Sequence, residues 1–249
     1  MKESSYDKIA KYYDRVLGDN YETEKYIKNK LKESGNIKSE SHSKPEILEL
    51  GCGTGNNLAS LRKKYILTGI DSSSQMLKIA AKKMPDSEFH LSDIRDFRLG
   101  KRYDLILCLY DTINHLTLFS DWKKVFRNVS DHLKDNGLFV FDINTLHKLD
   151  FISEVSPLIN RFHSDYLIVD VKRISRNVFN WNLKVFENKK ENIFELTETN
   201  IKESSFEVEK ITAELLKYFK IIKTEEENGR RFNRNSERIY FVCRKIKQN

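Results

Sequence analysis

The alternation of apolar and polar positions divides the chain near Asn144 into two textures. Up to that point short apolar runs, at 46–50, 66–70, 87–91, 103–109 and 137–143, alternate with amphipathic stretches near 56–64, 74–83 and 119–134. Such runs are the buried strands of a parallel sheet, and the stretches between them have the period of covering helices. The alternation predicts a doubly wound α/β fold whose ligand site lies at the carboxyl ends of the strands. Upstream, Tyr6 to about Glu33 reads as two helices broken near Gly18 and marked by Tyr12, Tyr13, Tyr21 and Tyr26; a polar, Ser-rich loop follows at 34–44.

Beyond Asn144 the period shortens to two. "DYLIVDVKRI", "NVFNWNLKVFE" and "IFELTETNIKE" predict three antiparallel strands, "VEKITAELLKYF" an amphipathic helix, and "KIIKTEE" with "RIYFVCRK" a closing strand pair. Three parts are therefore expected. Residues 1–145 form a helical lid and a ligand-binding core, 146–206 an inserted antiparallel sheet over the site, and 207–249 a helix and strand pair that rejoin the core.

Composition narrows the picture. With 249 residues, 39% of them apolar and 11% aromatic, the chain can bury a sizeable core, and long disorder is not expected. No run reaches the length of a membrane span, and "MKESSYDKIA" has no apolar signal region, so a soluble, cytoplasmic protein is expected. Cys52, Cys108 and Cys243 have neither metal-ligand nor disulfide spacing and read as small core residues. The net charge of +7 is mild. Arg230, Arg231, Arg234 and Arg238 cluster near the C-terminus and read as a solvated hairpin face; without interleaved aromatics they do not make an RNA surface.

The chemistry is concentrated in "EILELGCGTGNN", residues 46–57: a strand, then Gly51, Gly53 and Gly55 at every second position, then a helix start. Asp71 closes the next strand, "LTGID". Strand, glycine loop, helix and acid at this spacing build a nucleotide cradle. Two details argue against a dinucleotide. The third glycine of the dinucleotide fingerprint is missing, because Asn56 or Leu58 stands there, and Glu49 sits at the loop mouth. A carboxylate there repels a pyrophosphate and favours a cationic ligand such as a sulfonium or an ammonium.

"LELGCGTGNN" resembles motif I of the class I S-adenosylmethionine-dependent methyltransferases. "LSDIRDF", "YDLILCLYDTINHL" and "HLKDNGLFVFDIN" resemble three further motifs of that family in the correct order. The resemblance implies S-adenosylmethionine as cofactor and a seven-stranded sheet with one antiparallel strand. It implies a cofactor site made by Glu49, Gly51, Gly53, Gly55, Asn56, Asp71, Ser72, Met76, Asp93, Ile94 and Leu109, with Asp71 on the ribose and Asp93 on the adenine amino group. "IAKYYDRV" resembles the N-terminal element of sugar N-methyltransferases, in which a tyrosine, here Tyr13, closes over the cofactor; Tyr21 resembles a second lid aromatic.

His115, just past the fourth strand, is the expected base, with Tyr13 as second catalytic candidate. Asp111 and Asn114 flank His115, and Asp142 and Asn144 end the fifth strand within reach of a substrate. Trp181 and Arg173 could line the pocket, although period-two reading does not say which face they occupy. His42, His90, His132, His147 and His163 lack such placement. No metal set is apparent, and no G-x-S-x-G elbow supports a serine triad. The expected activity is methyl transfer to nitrogen or oxygen of a small-molecule acceptor, an amino sugar being the nearest analogy, by a monomer or homodimer without nucleic acid or membrane partners. The alternatives are an RNA or protein methyltransferase and a non-catalytic cofactor-binding protein; a dehydrogenase is disfavoured by Glu49 and the missing glycine.

Overall fold

A computed structural model describes residues 4–17, 25–27, 29–30, 44–191 and 193–246. Its centre is a seven-stranded sheet. The apolar runs form β1 (Glu46–Leu50), β2 (Ile66–Asp71), β3 (Glu88–Leu91), β4 (Tyr103–Cys108) and β5 (Leu133–Asn144), all parallel. Two late strands, β10 (Phe219–Glu225) and β11 (Arg238–Lys245), complete it in the order β10-β11-β5-β4-β1-β2-β3. Only β11 runs against the rest. The chain winds outward in one direction from β1 through β2 and β3 and in the other through β4 and β5. Between β1 and β4 the loops therefore diverge and leave a crevice at the strand carboxyl ends.

Helices cover the sheet: α1 (Ala10–Leu17), α2 (Asn56–Ala59), α3 (Ser74–Lys83) and α4 (Phe119–His132) precede or join the core strands, and α6 (Val208–Leu215) precedes β10. The first of the linking helices is shorter than the 56–64 stretch suggested, because the Ser60 hydroxyl donates back to the Asn57 carbonyl and the chain continues in turns. On one face of the sheet an aromatic layer fills the core. Phe141 stacks on Phe139 at 4.7 Å and on its register partner Phe241 at 4.8 Å, with Phe126 edging in from α4.

The inserted region departs from expectation. It contains four antiparallel strands rather than three, β6 (Leu158–Phe162), β7 (Asp165–Ser175), β8 (Val178–Lys190) and β9 (Ile193–Ser204), preceded by helix α5 (Leu146–Val155). The strand that escaped the pattern, β6, is an edge strand whose three central residues are exposed, so it carries no apolar alternation. The inner face of this sheet, with Leu167, Val169, Val171, Phe179, Val185 and Ile201, packs on Ile9 and Tyr12 from the N-terminal segment and on Leu149 of α5.

Asn114, in the 3₁₀ turn Thr112–His115, pins the two sheets together. Its fully buried amide donates to the Asn144 carbonyl at the end of β5 (3.0 Å) and to the Ser204 carbonyl at the end of β9 (2.7 Å), and accepts from the Asn144 N–H (3.1 Å). The expected second N-terminal helix survives as helical residues 25–27 and 29–30; Gly18, Tyr21 and most of the 34–44 loop lie outside the described residues. No helix among the described residues is long and apolar enough to cross a membrane. Replacing Phe141 by Ala is expected to cost about 3–5 kcal/mol of stability. Urea unfolding checks this: the midpoint falls while the slope stays constant.

Candidate active site

The glycine loop folds as its sequence demands. Gly51, Gly53 and Gly55 take φ of 66°, 52° and 79°, a region costly for residues with a Cβ. A Cβ on Gly53 would meet nothing nearer than Tyr13 Cε1 at 3.8 Å, so this stretch of main chain faces open space. Asp71 closes the cradle: one carboxylate oxygen accepts from Gly53 N–H and the other from Ser73 N–H, each at 2.8 Å. Burial raises its pKa above the ordinary carboxylate value.

Gly51, Gly53, Asp71, Ser72, Met76, Asp93 and Ile94 line one cavity of about 470 Å³, and Tyr13 and His115 close its inner end. The N-terminal segment forms its roof, tied down by two acids. Asp7 accepts from the Ser73 hydroxyl (2.7 Å) and Gln75 N–H (3.0 Å) at the start of α3. Asp14 accepts from the Thr54 hydroxyl (2.5 Å), the Asn56 amide (3.0 Å) and Lys83 (2.5 Å).

A second cavity, of about 290 Å³, lies under the inserted sheet. Tyr6, Tyr13, Tyr110 and Ile201 belong to the walls of both. The second is mostly apolar, with Trp181, Leu183 and Val185 of β8 and Leu167 and Val169 of β7 on its walls. Its polar end holds Asp111, Asn144, Lys148, Glu203 and Arg238. Arg238 donates to Asp142 and to Asp111, both at 2.6 Å, and Lys148 donates to the Asn144 side chain at 2.9 Å.

His115 stands where the cavities meet. Its Nδ1 lies 3.4 Å from the Lys202 carbonyl, which can only accept, so the proton sits on Nδ1. Its Nε2 then accepts from the Tyr6 hydroxyl at 3.0 Å. Burial lowers its pKa and keeps the ring neutral. Although the sequence shows no metal spacing, the fold brings one ligand-type atom each of Asp111, His115 and Glu203 within 4.8 Å of one another.

Several expected residues serve the site from behind. Glu49 lies buried beneath the loop and lines neither cavity; the Asn57 amide donates to one oxygen at 2.7 Å and the other has no partner among the described residues. The loop mouth is therefore not an anionic rim of Glu49, because the backbone turns its side chain inward. Gly55 also lines neither cavity: a Cβ there would press on Met84 and Ala80 of the neighbouring helix, so its role is close packing. Asn56 is spent on Asp14 and Lys83, Leu109 packs in the core under the loop, and Asn114 is consumed by its clamp. Asp93 lines the first cavity, but Arg95 holds its carboxylate and bridges to Asp121. Arg173 pairs with Asp150 and lines neither cavity, and Tyr21 lies outside the described residues.

Sequence reasoning missed Tyr6, Lys148, Glu203 and Arg238. Arg238 belongs to no solvated hairpin face: β11 pairs it with Asn144 and drives its guanidinium between two acids. Glu203 could have been noticed as an acid two residues from Ile201, on the same face of an alternating strand.

Burial pushes the Glu49 carboxyl up to about 8, and the Asn57 amide works against that rise. A carboxyl whose folded pKa exceeds its unfolded value destabilises the fold progressively as pH rises between the two. Glu49→Gln is therefore expected to raise the melting temperature of the ligand-free protein at pH 8, with a gain that shrinks toward pH 4.5; thermal scans across that range check it. Gly53→Val is expected to fold, because its Cβ meets nothing nearer than Tyr13 Cε1 at 3.8 Å, at a cost of about 1–2 kcal/mol for the positive φ. It should also abolish binding in the first cavity, read by calorimetry with S-adenosylhomocysteine.

Comparison with known proteins agrees with this geometry. A methyltransferase domain family matches residues 47–137, from β1 into β5. A dTDP-4-amino-2,3,4,6-tetradeoxy-D-glucose N,N-dimethyltransferase of Saccharopolyspora spinosa is 36% identical over 97 residues, which are 39% of this chain and 39% of that protein. The chain thus spans well under half of that curated relative. Across the whole fold, an S-adenosylmethionine-dependent methyltransferase from Clostridium acetobutylicum superposes with a TM-score of 0.84 at 23% identity, covering 98% of this chain and 100% of that one. A sugar N-methyltransferase from Streptoalloteichus gives 0.77 at 18%, covering 95% and 92%. Residues 47–137 thus match a methyltransferase domain family, and over nearly its full length the chain shares the α/β fold of these S-adenosylmethionine-dependent methyltransferase structures.

Proposed function

We propose that the protein transfers a methyl group from S-adenosylmethionine to a nitrogen or oxygen of a small-molecule acceptor. One observation carries the reading: two cavities share Tyr6, Tyr13, Tyr110 and Ile201, one a glycine cradle closed by an acid, with His115 on its wall, and the other a mostly apolar pocket of small-molecule size. When bound, the cofactor supplies an electrophilic methyl on a sulfonium. The cradle fits it: bare main chain at Gly53 admits close approach, Asp71 offers carboxylate oxygens at the end of β2, and Met76 and Ile94 supply apolar walls.

The remaining work is positioning and dehydration. The N-terminal strap, latched by Asp7 and Asp14, covers the cradle and keeps water out. Tyr13 separates the two ligands. His115, neutral and presenting Nε2 to a hydroxyl, can orient an acceptor or take its proton once Tyr6 gives way.

The size of the second cavity and its cover of β-sheet favour a small molecule over RNA or protein. The similarity to an amino-sugar N,N-dimethyltransferase supports nitrogen as the accepting atom. An accessible acceptor cavity also favours an enzyme over a non-catalytic binder. A cytoplasmic location accords with three free, buried cysteines.

Calorimetry should show binding of S-adenosylhomocysteine and none of NAD; the reverse result overturns the reading. Asp71→Ala is expected to weaken S-adenosylhomocysteine by about 1–3 kcal/mol through lost hydrogen bonds. His115→Ala should lower turnover and leave that affinity near wild type, whereas equal loss of both would make His115 structural.

A further inference from the structure

The polar end of the second cavity contains an acid that the reading above leaves unused. Glu203 projects from β9 on the same face as Ile201, where the strand's alternation otherwise presents apolar side chains to the cavity. It is only 5% exposed. One of its oxygens accepts from the Asn144 amide at 3.2 Å, and the other has no partner among the described residues. A carboxyl in such a place costs free energy unless a ligand completes its hydrogen bonding.

We propose, on the methyl-transfer reading, that Glu203 and Asp111 dock the ammonium of a free amine acceptor with an apolar body, and that Glu203 takes its proton. The geometry suits an ammonium. Three atoms within 4.8 Å of one another, as in Asp111, His115 and Glu203, leave a point within about 2.8 Å (4.8/√3) of all three, the length of a charge-assisted hydrogen bond. Burial and the neighbouring Asp111 push the Glu203 carboxyl well up, so it is a strong proton acceptor once an incoming cation has stabilised its charged form.

The transfer is balanced. The N–H bond breaks, its proton passes to the Glu203 carboxylate, and the nitrogen keeps the electron pair. That pair forms the nitrogen–carbon bond while the carbon–sulfur pair leaves with sulfur. The methylated ammonium departs with the charge the amine brought, and Glu203 returns its proton to solvent.

The surroundings define the rest of the acceptor. Ile9, Ile152, Leu167, Val169, Leu183 and Val185 face its body, and the indole N–H of Trp181, without a partner among the described residues, offers one hydrogen bond. They do not suit a nucleotide diphosphate. The two cations of this cavity wall are already engaged, Arg238 with Asp111 and Asp142 and Lys148 with Asn144, which leaves phosphate no uncommitted cation there among the described residues. The chemistry thus separates this chain from relatives named for nucleotide-linked amino sugars.

Cyclohexylamine and cyclohexanol, the same ring with and without an ammonium, test the site by calorimetry on the full chain, with and without saturating S-adenosylhomocysteine. The amine is expected to bind at least about tenfold more tightly than the alcohol. Glu203→Gln and Asp111→Asn should each remove that preference, with Glu203→Gln leaving S-adenosylhomocysteine affinity unchanged, and thymidine diphosphate should not compete. Equal binding of amine and alcohol in the wild type, which needs no variant, overturns the proposal. So does an unaltered preference in Glu203→Gln, competition by thymidine diphosphate, or a stoichiometric divalent ion whose removal by EDTA abolishes amine binding. The titration on the protein alone reads the Glu203 site whatever becomes of the methyl-transfer reading, which stands or falls on S-adenosylhomocysteine itself.

Discussion

The guanidinium of Arg238 holds the site in one piece. Asp142 is fully buried at the end of β5, and Asp111 caps the 3₁₀ turn after β4. Two carboxylates so close in a dry interior would repel each other and shed their charge. Arg238 lies between them, reaching each at 2.6 Å, and its second hydrogen bond of the pair to Asn144 closes the group. Burial still lifts Asp142 to about 6, and the guanidinium works against that rise. Removing the cation would leave the buried Asp142 beside the half-buried Asp111 without compensation, the expensive way to break an ion pair. The pair also gives β11, the strand that runs against the rest of the seven-stranded sheet, a place at the site. Only β11, alongside β5, brings a side chain from the end of the chain to the crevice between β1 and β4.

From that anchor the two cavities acquire different chemistry. The first is made by main chain: glycines with positive φ, N–H groups held by Asp71, and a roof latched by Asp7 and Asp14. The second is made by side chains of an alternating sheet, apolar except at the end where Arg238 sits. Asn114 links them mechanically, since one amide holds the ends of β5 and β9. A shift of the inserted sheet must therefore move His115, which follows Asn114 directly and touches Lys202 of β9.

The first cavity was largely legible in the sequence and the second was not, for a physical reason. Glycine spacing, a strand-ending acid and a helix cap are local features, and they located Gly51, Gly53, Asp71 and Ser72 on a cavity wall. The inward turn of Glu49 was not local: it depends on Asn57 of the following helix offering a hydrogen bond. Asn114 looked like a substrate group because it flanks His115 just past β4, yet its carbonyl partners lie 30 and 90 residues away. Arg238 sat among other arginines and looked like surface. Its partners are set by the antiparallel register of β11 on β5, which no short window contains. The edge strand β6 was invisible because exposed edges need no apolar pattern.

The same division governs how much can be taken from relatives. The domain match ends at residue 137, whereas Asn144, Lys148, Trp181, Glu203 and Arg238 all lie beyond it. Similarity in the matched part concerns the cradle, which must fit one ligand whatever the acceptor. Most walls of the second cavity, from Asn144 onward, lie outside that matched part, on the inserted sheet, the helix before it and β11. Two proteins alike in the first part can thus differ completely in the second, and a relative's substrate carries little weight against a cavity with a carboxylate pair at one end and branched aliphatic walls along the rest. On the proposed reading, the apolar walls and the engaged cations of the second cavity disfavour phosphate, so acceptor choice would be decided at that cavity wall rather than in the shared cradle.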